Sequence, residues 1–372
     1  MREYSVIDAD SHVEEPVEAW IYLDAKYQDR QPIIVSGENR PGLFGLNSFW
    51  YVDGKTYPHP VGRGATFYAT PVTQERAKWK PYSLGSQTLT DPEARVKDLD
   101  DASLGVQVLF PSLFLEPLTE DAGFEAALMR SYNTYLAAQC AVQPDRLRWA
   151  ALLPLRSPPA AVAEVQRAKA SGATCFVTTQ GTLGDRLLED PSLDSVWGAV
   201  EKSGLPLCIH CGWCNPGITH AFDTSYGAHV LGFTLPVLMA FYAFTGGGIL
   251  DRFPGLKLGF LEAGCEWVPY LVQRMDHYFV SEQRKGRPVP EKPASGYLRE
   301  CQIYFTTEAE EPHLPQVLDF VGEDRIMVSA DMPHGEAREG SVEEIEARQD
   351  LTAEQKRKVL HDNAAFFYGI DL

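Results

Sequence analysis

The sequence predicts an α/β protein, a (β/α)8 TIM barrel with a small β-containing insertion after the first strand. Three observations lead there. Eight short, β-rich apolar runs alternate with eight longer amphipathic stretches, the pattern of repeated βα units around a parallel sheet. Carboxylates and histidines collect at the C-terminal ends of several of those runs, where barrel enzymes keep their chemistry. The alternation fails only between residues 20 and 90.

The predicted strands are 3–8, 106–112, 147–155, 173–179, 205–212, 256–264, 302–308 and 325–331. The predicted helices are 91–104, 121–143, 158–171, 191–203, 234–251, 265–282, 311–321 and 343–359. The stretch "SPPAAVAEVQRAKASG" shows a start and a stop, with Ser157 and Pro158 opening a helix and Gly172 closing it. A doubly wound open sheet is the competing arrangement, but no glycine-rich phosphate turn follows the first strand. Residues 20–90 contain "FWYVDGKTY", whose Asp53-Gly54 pair signals a hairpin. This insertion is expected to cover the barrel mouth, where Trp50, Tyr51, Tyr57 and His59 either reach a substrate or pack a small core of their own. All 372 residues are expected to form one barrel domain containing that insertion.

A net charge of −18 disfavours nucleic acid and anionic membrane partners, because the surface field repels phosphate. No uninterrupted apolar run approaches the ~18 residues a membrane span needs. The N-terminus "MREYSVIDAD" has no apolar signal segment. Seven cysteines, all between Cys140 and Cys301, do not form a disulfide framework. These features together predict a cytoplasmic protein with a small-molecule substrate.

The first strand runs into "DADSHVEEP". Side chains alternate along a strand, so Asp8, Asp10 and His12 are expected to share one face. The fifth strand ends in His210, the sixth in Glu262, the seventh in Glu308, and the eighth in Asp331 with His334 just beyond. Several carboxylates cannot stay ionised in a dry barrel mouth unless a cation compensates them. A mixed set of imidazole nitrogen and carboxylate oxygen suits a divalent transition metal, Zn, Fe or Mn. Each residue has a plainer role open to it: Asp331 as a helix cap, His210 as a structural histidine. "CIHCGWC" places Cys208, Cys211 and Cys214 at a metal-like spacing. Cys208 falls within a strand, however, so core packing is the favoured reading for it, and the other two are read as loop thiols.

The stretches "DADSHVEEP", "DPEARVKDLDDASLGVQVLFPS", "PLCIHCGW", "GGGILDRFPGLKLGFLEAG" and "RIMVSADMPHGE" resemble the metal-dependent amidohydrolase superfamily. The branch they resemble contains aminocarboxymuconate-semialdehyde decarboxylase and γ-resorcylate decarboxylase. The resemblance runs from about Tyr4 to the C-terminus. It implies a distorted barrel with metal at its C-terminal mouth, and a homodimer. It matches the first-strand metal pair to Asp10 and His12, the fifth-strand histidine to His210 and the eighth-strand aspartate to Asp331. The sixth strand of the decarboxylases ends in a catalytic histidine, where this chain has Glu262.

Asp10, His12, His210, Glu262 and Asp331 therefore make up the expected ligand set, for one or two ions per chain. Glu15 is open to three roles: support of the ligands, substrate contact, or helix capping. The expected reaction is hydrolysis. Metal-activated hydroxide attacks an acyl carbon of an amide, ester or thioester of a bulky, partly apolar acid, with Asp331 handling the proton, Glu262 sharing it or holding a second ion, and His334 orienting the carbonyl. Trp213, Trp50 and His229 are expected substrate contacts, alongside a surface or packing role for His229 and His220. The alternative is non-oxidative decarboxylation of an aromatic or unsaturated acid, against which the missing sixth-strand histidine counts. A non-catalytic ligand-binding barrel is a third reading.

Overall fold

A computed structural model describes residues 4–36, 48–57, 82–184, 186–213, 215–219, 221–334 and 340–371. Its strands, in chain order, are β1 (Ile7–Val13), β2 (Ile33–Ser36), β3 (Ser48–Val52), β4 (Lys55–Tyr57), β5 (Val106–Pro111), β6 (Leu147–Leu152), β7 (Cys175–Thr178), β8 (Thr182–Leu183), β9 (Arg186–Leu187), β10 (Leu207–His210), β11 (Lys257–Leu261), β12 (Gln302–Thr307) and β13 (Ile326–Val328). Eight of them form one sheet in the order β1-β5-β6-β7-β10-β11-β12-β13. Every pairing within it is parallel. Helices lie between successive strands, so the sheet curls into a (β/α)8 barrel. Strands such as β5, β7 and β10 are buried along their whole length, which is why they read as near-continuous apolar runs.

The eight predicted strands match the eight barrel strands in order, with one shift that matters. β1 spans Ile7–Val13 rather than 3–8, so the charged "DADSH" lies inside the strand, and all seven of its residues are buried. The strand also carries a register shift between Asp8 and Ser11. That irregularity breaks simple alternation, and Asp8 does not do the work of Asp10 and His12. It turns instead to the seam between the first and last strands.

No ladder joins β1 to β13 in the sheet order. The seam is closed by two backbone bonds, His12 N to Met332 O (2.6 Å) and Asp331 N to Asp10 O (3.1 Å), and by side chains. Asp8 Oδ1 accepts from the amides of Asp10 (3.2 Å) and Ala330 (2.9 Å). Its Oδ2 accepts from Ser11 Oγ (2.5 Å) and Gln107 Nε2 (2.7 Å). Ser11 Oγ in turn accepts from Met332 N (2.9 Å). Burial pushes the Asp8 carboxyl up to about 6, against the opposing effect of these four donors.

The insertion begins with β2, β3 and β4, an antiparallel sheet. Val52 pairs with Lys55 across Asp53 and Gly54, both at positive φ, the geometry of a two-residue hairpin turn. Residues 58–81, which include His59, lie outside the described residues. The predicted helix 343–359 is interrupted. Ser341–Ala347 ends before Arg348, and a new helix starts at Ala353 behind a Thr352/Gln355 capping box, a restart signal that the apolar pattern hides. Ala228–Arg252, helical but for a turn at residues 246–248, has the length and composition of a membrane span. Its interspersed Gly and Thr kept it from reading as an apolar run, and 61% of its most apolar window is buried inside the protein. The six described cysteines are free and buried.

Replacing Asp8 by Ala strands four donors at the seam and is expected to cost about 3–5 kcal/mol of unfolding free energy, the scale for breaking a buried charged network. Urea unfolding of Asp8→Ala and the milder Asp8→Asn measures this. An unchanged midpoint would show that the barrel closes by other means.

Candidate metal centre

Five side chains from the C-terminal ends of four barrel strands meet at the mouth. Asp10 and His12 come from β1 and His210 from β10, Glu262 follows β11 and Asp331 lies three residues past β13. Their side chains are between 0% and 7% exposed. His12 Nε2 lies 3.4 Å from Glu262 Oε2, 3.4 Å from Asp331 Oδ1 and 4.0 Å from Asp10 Oδ1. His210 Nε2 lies 2.8 Å from Glu262 Oε2 and 3.4 Å from Asp10 Oδ1. Glu262 and Asp331 both hold positive φ, 51° and 53°. Non-glycine residues enter that region only against a steric penalty, which surrounding structure must hold in place, and such outliers gather at functional sites.

The tautomers can be read from the backbone. His12 Nδ1 donates to Pro111 O (2.8 Å) and His210 Nδ1 to Cys211 O (2.9 Å). A carbonyl can only accept, so in the neutral rings both Nε2 atoms present lone pairs to the site, the arrangement metal-binding histidines use. Both Asp10 oxygens, Glu262 Oε2 and the two Nε2 atoms are buried without a hydrogen bond. Burial alone would push the His210 imidazole down, but the Asp10 and Glu262 carboxylates override it and hold it well above its usual range. The Glu262 carboxyl is likewise held well below its usual range, despite burial, by His210 and His12. Without a metal, a proton on His210 is the nearest substitute for a cation.

These residues fit a divalent ion. Donors about 2.1 Å from one ion stand about 3.0–3.4 Å apart around it, close to the spacings here. A pair of ions about 3.5–4 Å apart would need a wider cage. The donors fall into overlapping groups, Asp10, His12 and His210 in one and His12, Glu262, Asp331 and His334 in another, each close enough to share an ion.

His334 stacks on His12 with ring centroids 3.9 Å apart. Its Nδ1 lies 3.0 Å from Asp331 Oδ1 and its Nε2 lies 2.8 Å from Ser112 Oγ. Glu15 lies behind this array. Its carboxylate accepts the amides of Ser112 (3.0 Å) and Leu113 (2.8 Å), so it caps the short turn Leu113–Leu115 rather than the helix that follows it in sequence. Burial pushes its carboxyl up to about 8. Ser112 was not singled out by the sequence reading, although it follows the second barrel strand and the strand-end test would have found it.

The other predicted contacts pack in aromatic pairs. Trp50 is buried against Trp20, ring centroids 5.8 Å apart, within the packing of the insertion. Trp213, just past β10, packs against Phe233 (4.8 Å) and His229 (5.4 Å) of the helical segment Ala228–Phe233. Cys211 is near His210 and Glu262, but burial holds its thiol well above its usual range, which disfavours the thiolate that metals and electrophiles need. Cys208 is buried in β10, whereas Cys214 and His220 lie outside the described residues. Glu308 follows β12, its amide donating to Glu311 (3.0 Å).

Residues 58–370 match the amidohydrolase family model. The chain belongs to the amidohydrolase family. This amidohydrolase is 26% identical over 323 residues to γ-resorcylate decarboxylase of Rhodococcus jostii, covering 77% of the chain and 90% of the relative. It is 24% identical over 288 residues to 2-amino-3-carboxymuconate-6-semialdehyde decarboxylase of Dictyostelium discoideum, covering 76% and 77%. Among solved structures, an amidohydrolase from Mycobacterium avium subsp. paratuberculosis superposes with a TM-score of 0.80 at 20% identity, over 99% of this chain and all of the other. The 5-carboxyvanillate decarboxylase of Novosphingobium aromaticivorans, solved with bound manganese, gives 0.68 at 22% identity, over 80% and 85%. These relatives overturn the expectation of a hydrolase, since the two curated relatives just described are decarboxylases. Glu262, expected either to hold a second ion or to share the proton traffic, has Oε2 2.8 Å from His210 Nε2 and 3.4 Å from His12 Nε2.

One equivalent of Mn2+ per chain is expected in mass-spectrometric or calorimetric titration, abolished in a His12→Ala/His210→Ala double variant. Affinity is expected to rise with pH. The imidazole of His210 is held above its usual range, so a proton occupies it at neutral pH and must leave before metal binds. Titrations in buffers of different ionisation enthalpy measure the release, and affinity falling with pH would refute the donor assignment.

Proposed function

We propose that this chain is a metal-dependent, non-oxidative decarboxylase of an aromatic carboxylic acid. What carries the reading is that relatives matching about three quarters of the chain are decarboxylases of such acids or of an unsaturated one, joined to clustered His, Asp and Glu donors that could hold a metal ion. The reaction breaks the bond between ring carbon and carboxyl carbon. The electron pair stays on the ring carbon, which takes a proton, and CO2 leaves.

The divalent ion supplies Lewis-acid polarisation of substrate oxygens when bound. The residues of the chain must do the rest. A proton has to be held beside the mouth and delivered to carbon, and Asp331 with His334 3.0 Å away is the pair placed to do it. Ser112 Oγ on the far side of the His334 ring fixes its orientation. This supplies from the eighth strand the imidazole that the sixth strand lacks. Trp213 and Phe233 offer an aromatic wall after β10, suited to a flat, partly apolar ring. A homodimer in the cytoplasm remains part of this proposal, and light scattering measures the former.

The test is a panel of hydroxybenzoates and methoxy-substituted aromatic acids with the Mn2+-loaded chain, reading CO2, beside a panel of esters, thioesters and amides. CO2 release from an aromatic acid is expected. Asp331→Asn is expected to lower kcat by about 10²–10⁴-fold, the contribution of a positioned proton donor. Hydrolysis of an acyl substrate with no CO2 from any acid would overturn the proposal.

A further inference from the structure

Arg95 lies outside the donor shell, yet it touches both ends of the seam that carries it. It sits on the helix Pro92–Asp101, between the insertion and β5, and is fully buried. Its Nε donates to Gln107 Oε1 (2.8 Å) and its Nη1 to Ser86 O (3.3 Å). Its Nη2 donates to two carbonyls at once, His12 O and Met332 O, each at 2.9 Å. His12 is itself a donor to the metal centre, and Met332 follows Asp331. One nitrogen thus spans the first and last barrel strands at the point where their ligands face each other, 3.4 Å apart.

The contacts form a closed circuit. Gln107 accepts from Arg95 and donates to Asp8 Oδ2 (2.7 Å), and Asp8 holds Ala330 N (2.9 Å) and Asp10 N (3.2 Å). Met332 O also accepts from His12 N (2.6 Å). Burial pushes the Arg95 guanidinium down to about 10, with Asp8 opposing the shift, so it stays charged at neutral pH. A buried cation offsets Asp8 below the site and leaves the carboxylates of the shell uncompensated by it.

We infer that Arg95 is a positioning residue for the metal centre, a two-strand clamp that presets the separation of His12 and Asp331 across a seam with no strand ladder. This rests on the single-ion reading of the donor set. A planar fork with rigidly placed donors suits the task. A lysine at the same place keeps the charge but has one nitrogen on a flexible stem, so it cannot hold both carbonyls and Gln107 in fixed relation.

The experiment compares the native full-length chain with Arg95→Lys and Arg95→Met. Mn2+ affinity is measured by calorimetry, the Mn2+ electron paramagnetic resonance spectrum of the loaded protein is recorded, and the metal-free melting temperature is taken for each. Arg95→Lys is expected to fold, to bind Mn2+ about 10-fold or more weakly, the usual loss when a support behind a ligand is removed, and to show an altered spectrum. Arg95→Met is expected to do so more strongly. Should Arg95→Met fail to fold, Arg95→Lys decides. A lowered melting temperature with native Mn2+ affinity and native spectrum in Arg95→Lys would mean that Arg95 supports the fold alone, and would overturn the inference. A native chain that takes up no Mn2+ is recognised before any variant is read, and would overturn the metal centre itself along with the inference.

Discussion

Buried negative charge governs this structure. Asp10, Glu262 and Asp331 are buried together beside two histidines whose Nδ1 atoms are committed to backbone carbonyls. Isolated buried carboxylates are among the most costly groups a fold can hold. A chain that buries three side by side must supply a cation or forgo their ionisation. The positive-φ backbone at Glu262 and Asp331 adds a conformational penalty to the electrostatic one. Both penalties fall on the residues that would share one ion, and binding that ion offsets them.

The barrel closes where this charge is densest. Parallel ladders run from β1 round to β13, and then the ladder stops. In its place stand Asp8, Ser11, Gln107 and Arg95, four polar side chains that are buried and joined to one another and to the backbone. A regular ladder would have imposed strand alternation and pointed Asp8, Asp10 and His12 the same way. The register shift frees Asp8 for the seam and leaves Asp10 and His12 among the candidate donors at the mouth. The irregularity thus separates the residues that hold the barrel shut from those that could hold an ion.

This division explains what could be read from the sequence. The eight strands were visible because each is short, apolar and bounded by helical stretches, and Asp10, His12, His210 and Asp331 were visible because they end such runs or sit within the first. Arg95 was not, because its partners lie 83 and 237 residues away in sequence and a lone arginine on a polar helix reads as a solvated charge. The shift of β1 escaped for a related reason. A strand holding Asp, Ser and His looks like a strand that has ended, unless the seam that satisfies those groups is known. Glu262 was legible as a strand-end carboxylate, and what residue type alone does not give is its neighbours: both histidine Nε2 atoms within 3.4 Å of its Oε2.

The same charge balance sets an order of events for any anionic substrate. The surface carries −18, and the mouth adds three carboxylates to the path of an aromatic acid. In a dry site two like charges at 4 Å repel far more strongly than in water. A divalent cation is the largest local charge in such a site and inverts the field around it. An aromatic carboxylate therefore meets repulsion at the metal-free mouth and attraction at the loaded one. On the proposed function, recognition of the acid would not divide cleanly from retention of the metal, and Asp8 and Arg95 would bear on both through the spacing of the donors.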